Sequence, residues 1–114
     1  MHELSYMTRL ANLACETANE NHAKSVKKIK VEVGAMTGVL PKYLEYYFPT
    51  VIKGTILEGS ELETMLIPVK AHCNNCGKEY TPTADNDYRC PSCKSIEASI
   101  IDGRDVKLKE VIVD

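Results

Sequence analysis

Four cysteines constrain this chain more than any other feature: Cys73-x2-Cys76, thirteen intervening residues, then Cys90-x2-Cys93. Two residues between thiolates let each pair grip one tetrahedral ion from a tight knuckle turn, and the intervening loop brings the second pair opposite the first. Gly77 follows the first pair, where a residue of positive φ is often wanted, and Pro91 stiffens the second turn. Two disulfides or a thioredoxin-like redox pair are the competing readings. Disulfides conflict with the reducing compartment inferred below, and a redox pair needs a βαβ context that this stretch lacks. The spacing therefore predicts one Zn(II) at Cys73, Cys76, Cys90 and Cys93. Four sulfurs complete the tetrahedron and leave no position for substrate, so the zinc is read as structural. The fifth cysteine, Cys15, falls on the apolar side of a helix and reads as an inert thiol.

The residues around the cysteines explain why a metal is needed. From about position 71 to 95 the chain carries two prolines, several Asn and Asp residues and few large aliphatic side chains, too little for a core of its own. The remainder of the 114 residues is ordinary for a globular protein, which suits one small domain carrying a mini-module. A formal net charge of -2 gives no general attraction for nucleic acid or anionic membranes. No apolar run approaches the roughly 20 residues needed to cross a bilayer. His2, Glu3, Arg9 and Glu16 interrupt every apolar stretch near the start, so no secretory signal is expected. The expectation is a soluble cytoplasmic protein without membrane or nucleic-acid partners. Exposed apolar surface or swapped strands leave a homodimer open.

Periodicity supplies the scaffold. Leu4, Met7, Ala11, Ala14 and Ala18 recur at helical spacing between His2 and about His22, with Leu10 and Cys15 widening the apolar face. Lys28 to Val33 alternates polar and apolar residues as a half-buried strand does. Gly34 and Gly38 bracket a turn, and Pro41 suits the first turn of a second helix facing inward with Leu44, Tyr47, Phe48, Val51 and Ile52. Pro49 is expected to kink or split that helix. A strand from about Glu61 to Val69 and another from Val106 to Val113 flank the cysteine segment. The reading is an α+β fold: two helices packed on a small, about three-stranded sheet, with an inserted zinc-ribbon module. Residues 1–69 and 105–114 form the main domain and 70–104 the zinc-binding domain.

The start of the chain adds a second metal motif. In Met1-His2-Glu3, the α-amine, the backbone nitrogen of His2 and its imidazole can chelate one ion through fused five- and six-membered rings. A large side chain at position 2 protects the initiator Met from removal. With the amide deprotonated these nitrogens lie in one plane, the tetragonal geometry suited to Ni(II) or Cu(II). From the chemistry alone, a solvated histidine is the alternative.

The whole chain resembles the HypA/HybF family of hydrogenase nickel-incorporation proteins. The likeness comprises the Met1-His2-Glu3 start, the strand ending at Val33-Gly34 and the segment Pro41-Lys42-Tyr43-Leu44-Glu45-Tyr46-Tyr47-Phe48. It continues through Gly54-Thr55, Glu58-Gly59-Ser60-Glu61-Leu62, both cysteine knuckles and the closing Gly103-Arg104-Asp105-Val106-Lys107-Leu108. The resemblance implies a non-enzymatic metallochaperone that binds Ni(II) at its N-terminus and helps insert it into the large subunit of nickel-iron hydrogenase. It further implies a HypB-type GTPase partner and, for some members, delivery to urease. By carry-over His2 is the principal nickel ligand, the Met1 amine and nearby amides complete much of the site, and Glu3 lies beside it. His72, next to Cys73, reads as a solvated loop residue, with a role beside either metal as the alternative.

Two other functions compete. A zinc-ribbon nucleic-acid-binding or transcription-associated module would use the basic stretch Lys24, Lys27, Lys28 and Lys30. Lys28 and Lys30, however, alternate with Ile29 and Val31 as on any solvated strand face, and the tyrosines form no stacking platform. A hydrolytic zinc enzyme needs a water position that four thiolates deny it.

Overall fold

The computed structural model describes residues 2–114, so the nickel ligand expected at Met1 lies outside the described residues. Helix α1 spans Glu3–Glu20 and strand β1 Val26–Gly34. A short 3-10 turn at Ala35–Thr37 leads to helix α2, Pro41–Ile52. Strands β2 (Glu61–Ile67), β3 (Lys70–Cys73), β4 (Glu79–Tyr80), β5 (Ala98–Asp102) and β6 (Val106–Val113) complete the chain.

These strands form two separate three-stranded sheets, ordered β2-β1-β6 and β4-β3-β5. In the first, β1 is central, parallel to β2 and antiparallel to β6, which makes the sheet mixed. A parallel neighbour requires a crossover, and α2 supplies it. The alternation read in β1 is realised: Ile29, Val31 and Val33 are buried against the helices, while Lys28, Lys30 and Glu32 face outward. Lys28 Nζ lies 3.4 Å from Glu63 and 3.9 Å from Glu61. Lys30 Nζ lies 3.8 Å from Glu63 and 3.7 Å from Glu110. Carboxylates therefore cancel the charge of two of the four lysines that a nucleic-acid surface would need.

The helices cover the inner face with Met7, Leu10, Ala11, Ala14 and Ala18 from α1 and Leu44, Phe48 and Ile52 from α2. Small alanines along α1 let it lie close to the sheet and to α2. Leu4 departs from expectation. It is half exposed, and Glu3 occupies the inward position instead. Pro49 does not split α2, which runs on as one helix to Ile52. The proline sits in the last turn, where few backbone bonds remain to be lost.

The second sheet is inserted between β2 and β6, as the composition shift predicted. The chain leaves the first sheet at Pro68-Val69 and returns through Gly103–Asp105, and both passages cross beside Gly34. Gly34 N–H donates to the Asp105 carbonyl and Met36 N–H to the Gly103 carbonyl, each at 2.9 Å. A β-carbon on Gly34 would fall 2.5 Å from the Gly103 backbone, and one on Gly103 would fall 2.4 Å from the Pro68 carbonyl oxygen. Two glycines thus permit three backbone segments to pass within contact distance. The result is an elongated molecule, 53 × 27 × 16 Å, with a radius of gyration of 17.4 Å. A compact chain of this length would have about 13 Å.

Candidate metal centre

The two cysteine pairs sit on turns of matching construction. In the first, Cys73 N–H donates to the Lys78 carbonyl at 2.8 Å and Gly77 N–H returns to the Cys73 carbonyl at 2.9 Å. In the second, Cys90 N–H donates to the Ser95 carbonyl at 3.1 Å and Lys94 N–H to the Cys90 carbonyl at 2.8 Å. Each turn closes through a left-handed residue directly after its second cysteine: Gly77 at φ +81° and Lys94 at φ +61°. The glycine was legible as such a position. Its lysine counterpart was not, because nothing but the repeated turn geometry marks it.

These turns bring the four sulfurs together, every one within 4.8 Å of the others. Cys73 Sγ lies 3.5 Å from Cys93 Sγ, and Cys76 Sγ 3.6 Å from Cys90 Sγ. A disulfide has its sulfurs about 2.05 Å apart, whereas a tetrahedron with bonds of about 2.3 Å separates them by about 3.8 Å. The cluster therefore fits a four-coordinate metal ion. Cys73 and Cys90 are buried, with Ala71 and Tyr80 forming the small apolar floor.

The protein already favours charge on part of this cluster. The Cys93 thiol is lowered to about 6, first by the Asn75 side-chain amide and then by the Ser95 backbone N–H. Cys90 is lowered by the backbone N–H groups of Cys93 and Ser92. For Cys76 the Lys78 backbone N–H is the largest influence and lowers it, but the Cys90 sulfur, burial and the other sulfurs together push it up to about 11. One sulfur cannot readily carry charge beside charged neighbours without a cation among them. Asn75 was not visible as a contributor in the sequence, since any residue may fill the middle of a CxxC turn.

The residues at the chain start are built differently. His2 is exposed and precedes α1, its carbonyl accepting the Tyr6 N–H at 3.0 Å as the first helical bond. A hollow of about 260 Å³ beside it is lined by His2, Ser5, Tyr6 and Arg9. Glu3 is the one buried charged residue among those described, and hydrogen bonding, with a minor contribution from the Leu40 backbone N–H, holds its carboxyl below the usual carboxylate range. His72 lies on β3 rather than in a loop, half-buried and paired with Glu79 and Ser99 across the sheet. Strand alternation turns it away from the face that carries Ala71 and Cys73. Cys15 is half-buried against the main core. Among the described residues, no helix is long and apolar enough to cross a membrane.

Known proteins share this arrangement. A hydrogenase maturation factor HypA from Aquifex aeolicus is 40% identical over 111 residues, covering 97% of this chain and 96% of its own. Its namesake from Picosynechococcus sp. is 34% identical over 113 residues, covering 99% of each. The solution structure of the Ni metallochaperone HypA from Helicobacter pylori has the same fold, with a TM-score of 0.75 over 99% of this chain and 97% of that one at 23% identity. The family described as hydrogenase/urease nickel incorporation, metallochaperone, hypA matches residues 1–113. Two helices on a mixed sheet, a four-sulfur cluster on an inserted one and these relatives together establish that the chain belongs to the HypA family of nickel metallochaperones.

Proposed function

We propose that this protein carries Ni(II) on a chelate at its amino terminus and delivers it to the large subunit of a nickel-iron hydrogenase, while a structural Zn(II) holds the cysteine module together. The family is one of metal carriers, so the chain is a nickel metallochaperone of hydrogenase maturation and not an enzyme. The observation that carries the nickel assignment is the exposed His2 at the head of α1, open to an incoming ligand, in contrast to the sulfur cluster, whose four thiols already close a tetrahedral shell.

In this reading the Met1 amine, the His2 amide nitrogen and the His2 imidazole hold nickel in one plane. Glu3, buried at the first turn of α1, fixes that turn and so positions the chelate instead of exposing a charge. Affinity falls with pH because protons compete for the amine, the imidazole and the amide, which gives a route to release. A HypB-type GTPase as partner, urease as a further destination and the cytoplasm as the place of action fit the same reading. Zinc is preferred at the cluster because four thiolates in a closed tetrahedron suit it.

The test separates the two metals. His2→Ala, or an extension of a few residues before Met1, is expected to abolish the planar nickel spectrum and weaken nickel binding by at least tenfold. Zinc content should not change in either variant. Nickel bound with unaltered affinity and spectrum would refute the amino-terminal site.

A further inference from the structure

We propose that Arg9 is the docking cation for carboxylate-bearing ligands that exchange nickel with the amino-terminal chelate, an inference that rests on the nickel reading above. Arg9 lies two turns into α1 and lines the hollow that His2 opens onto, together with Ser5 and Tyr6. Its guanidinium carbon sits 5.1 Å from the centre of the Tyr6 ring. Tyr6 in turn packs against the main core, so the cation rests on a fixed platform. No carboxylate lies within ion-pair distance of Arg9 among the described residues, whereas Lys28 and Lys30 on the outer sheet face are so paired. Glu3, the nearest acid in sequence, is buried.

An arginine held on an aromatic ring and left without an acid presents its donors outward in a fixed fork, the arrangement that suits a carboxylate. The chemistry of exchange explains its use here. Nickel moves between ligands as Ni(II) throughout. Each protein nitrogen keeps its lone pair as its bond to the metal breaks, and the amine and amide take up protons from water as oxygens and nitrogens of the acceptor bind. Ligands able to compete for nickel are rich in carboxylates, and a chain of net charge -2 repels them in general. A single unpaired cation beside His2 lowers that barrier where it matters.

The experiment follows nickel hand-over from the loaded protein by stopped-flow at low and at physiological ionic strength. Acceptors are nitrilotriacetate, a tricarboxylate, and triethylenetetramine, which has no carboxylate. Arg9→Gln is expected to slow transfer to nitrilotriacetate about tenfold at low salt, with the difference shrinking as salt rises. Arg9→Glu should slow it further. Nickel affinity and transfer to the polyamine should be no worse in either variant. An Asp-His-Asp peptide compared with Asn-His-Asn tells whether an acidic protein segment uses Arg9 as a small chelator does. Loss of dependence on Arg9 toward both carboxylate acceptors, or equal slowing toward the polyamine, overturns the proposal. A second arm does not need nickel: citrate added to the metal-free protein should shift the Arg9 Nε–Hε resonance, and an unmoved resonance also overturns it. That arm distinguishes failure of the docking role from failure of the chelate.

Discussion

The two sheets of this protein solve the same problem by different means. The β2-β1-β6 sheet rests on the two helices, and the buried side chains of sheet and helices, from Met7 to Val106, form one continuous apolar cluster. Among the described residues the β4-β3-β5 module has a small buried cluster of Ala71, Cys73, Tyr80 and Cys90, and two of those four belong to the four-sulfur cluster that fits a metal ion. A core of that size cannot offset the entropy of ordering some thirty residues at about 1–2 kcal/mol each. A metal ion held by the four-sulfur cluster would supply what hydrophobic burial lacks there. The difference teaches that a doubled CxxC in an aliphatic-poor segment is first a folding device, and that function is better sought where the chain has stability to spare.

The largest effect should come from attacking the metal. Chelation, or Cys90→Ser, is expected to unfold the inserted module alone, with loss on the order of 10 kcal/mol of coordination energy. Amide resonances of residues in β3, β4 and β5 should collapse while those of β1 and α1 persist. A cooperative loss of both sheets would break the comparison. Acid acts in the same direction. With the Cys93 thiol depressed to about 6, its charged form contributes fully above the ordinary thiol range and loses that contribution as pH falls through about 6. Zinc retention against a competing chelator should drop in that window.

The converse change strikes the other region. Leu44 is fully buried between α2 and the main sheet. Leu44→Ala should cost about 2–5 kcal/mol, seen as a lower midpoint in urea, with zinc still bound at full stoichiometry. Zinc loss in parallel would mean that the modules are energetically one.

The smallest effect sharpens the likeness of the two knuckles. Lys94 holds the left-handed position that Gly77 holds in the other turn. Lys94→Gly should therefore relieve about 1 kcal/mol of backbone strain and tighten zinc retention several-fold, whereas Gly77→Lys should loosen it. Equal retention in both would show that the turns are not equivalent.

Much was legible without coordinates where the information is local. Ligand spacing, the alternation of β1, the apolar period of α1 and the proline at the start of α2 depend on neighbours within a few residues. The elements came out close to their expected bounds for that reason. The errors fall where distant segments meet. Leu4 obeys the helical period yet is exposed, because its neighbour Glu3 takes the buried position in the first turn of α1. Pro49 obeys the rule for helix breakers yet breaks nothing, because it arrives when the helix is already ending.

By itself the sequence determined that one segment carries four cysteines at the spacing of a tetrahedral metal site and that the rest forms an α+β scaffold, since each follows from patterns within short stretches. Only the tertiary structure decided that β1 lies between a parallel and an antiparallel partner, and that Gly34 and Gly103 let the inserted module's two connections cross it. Those outcomes depend on which distant backbones and side chains approach one another, and no local pattern of residues encodes that contact.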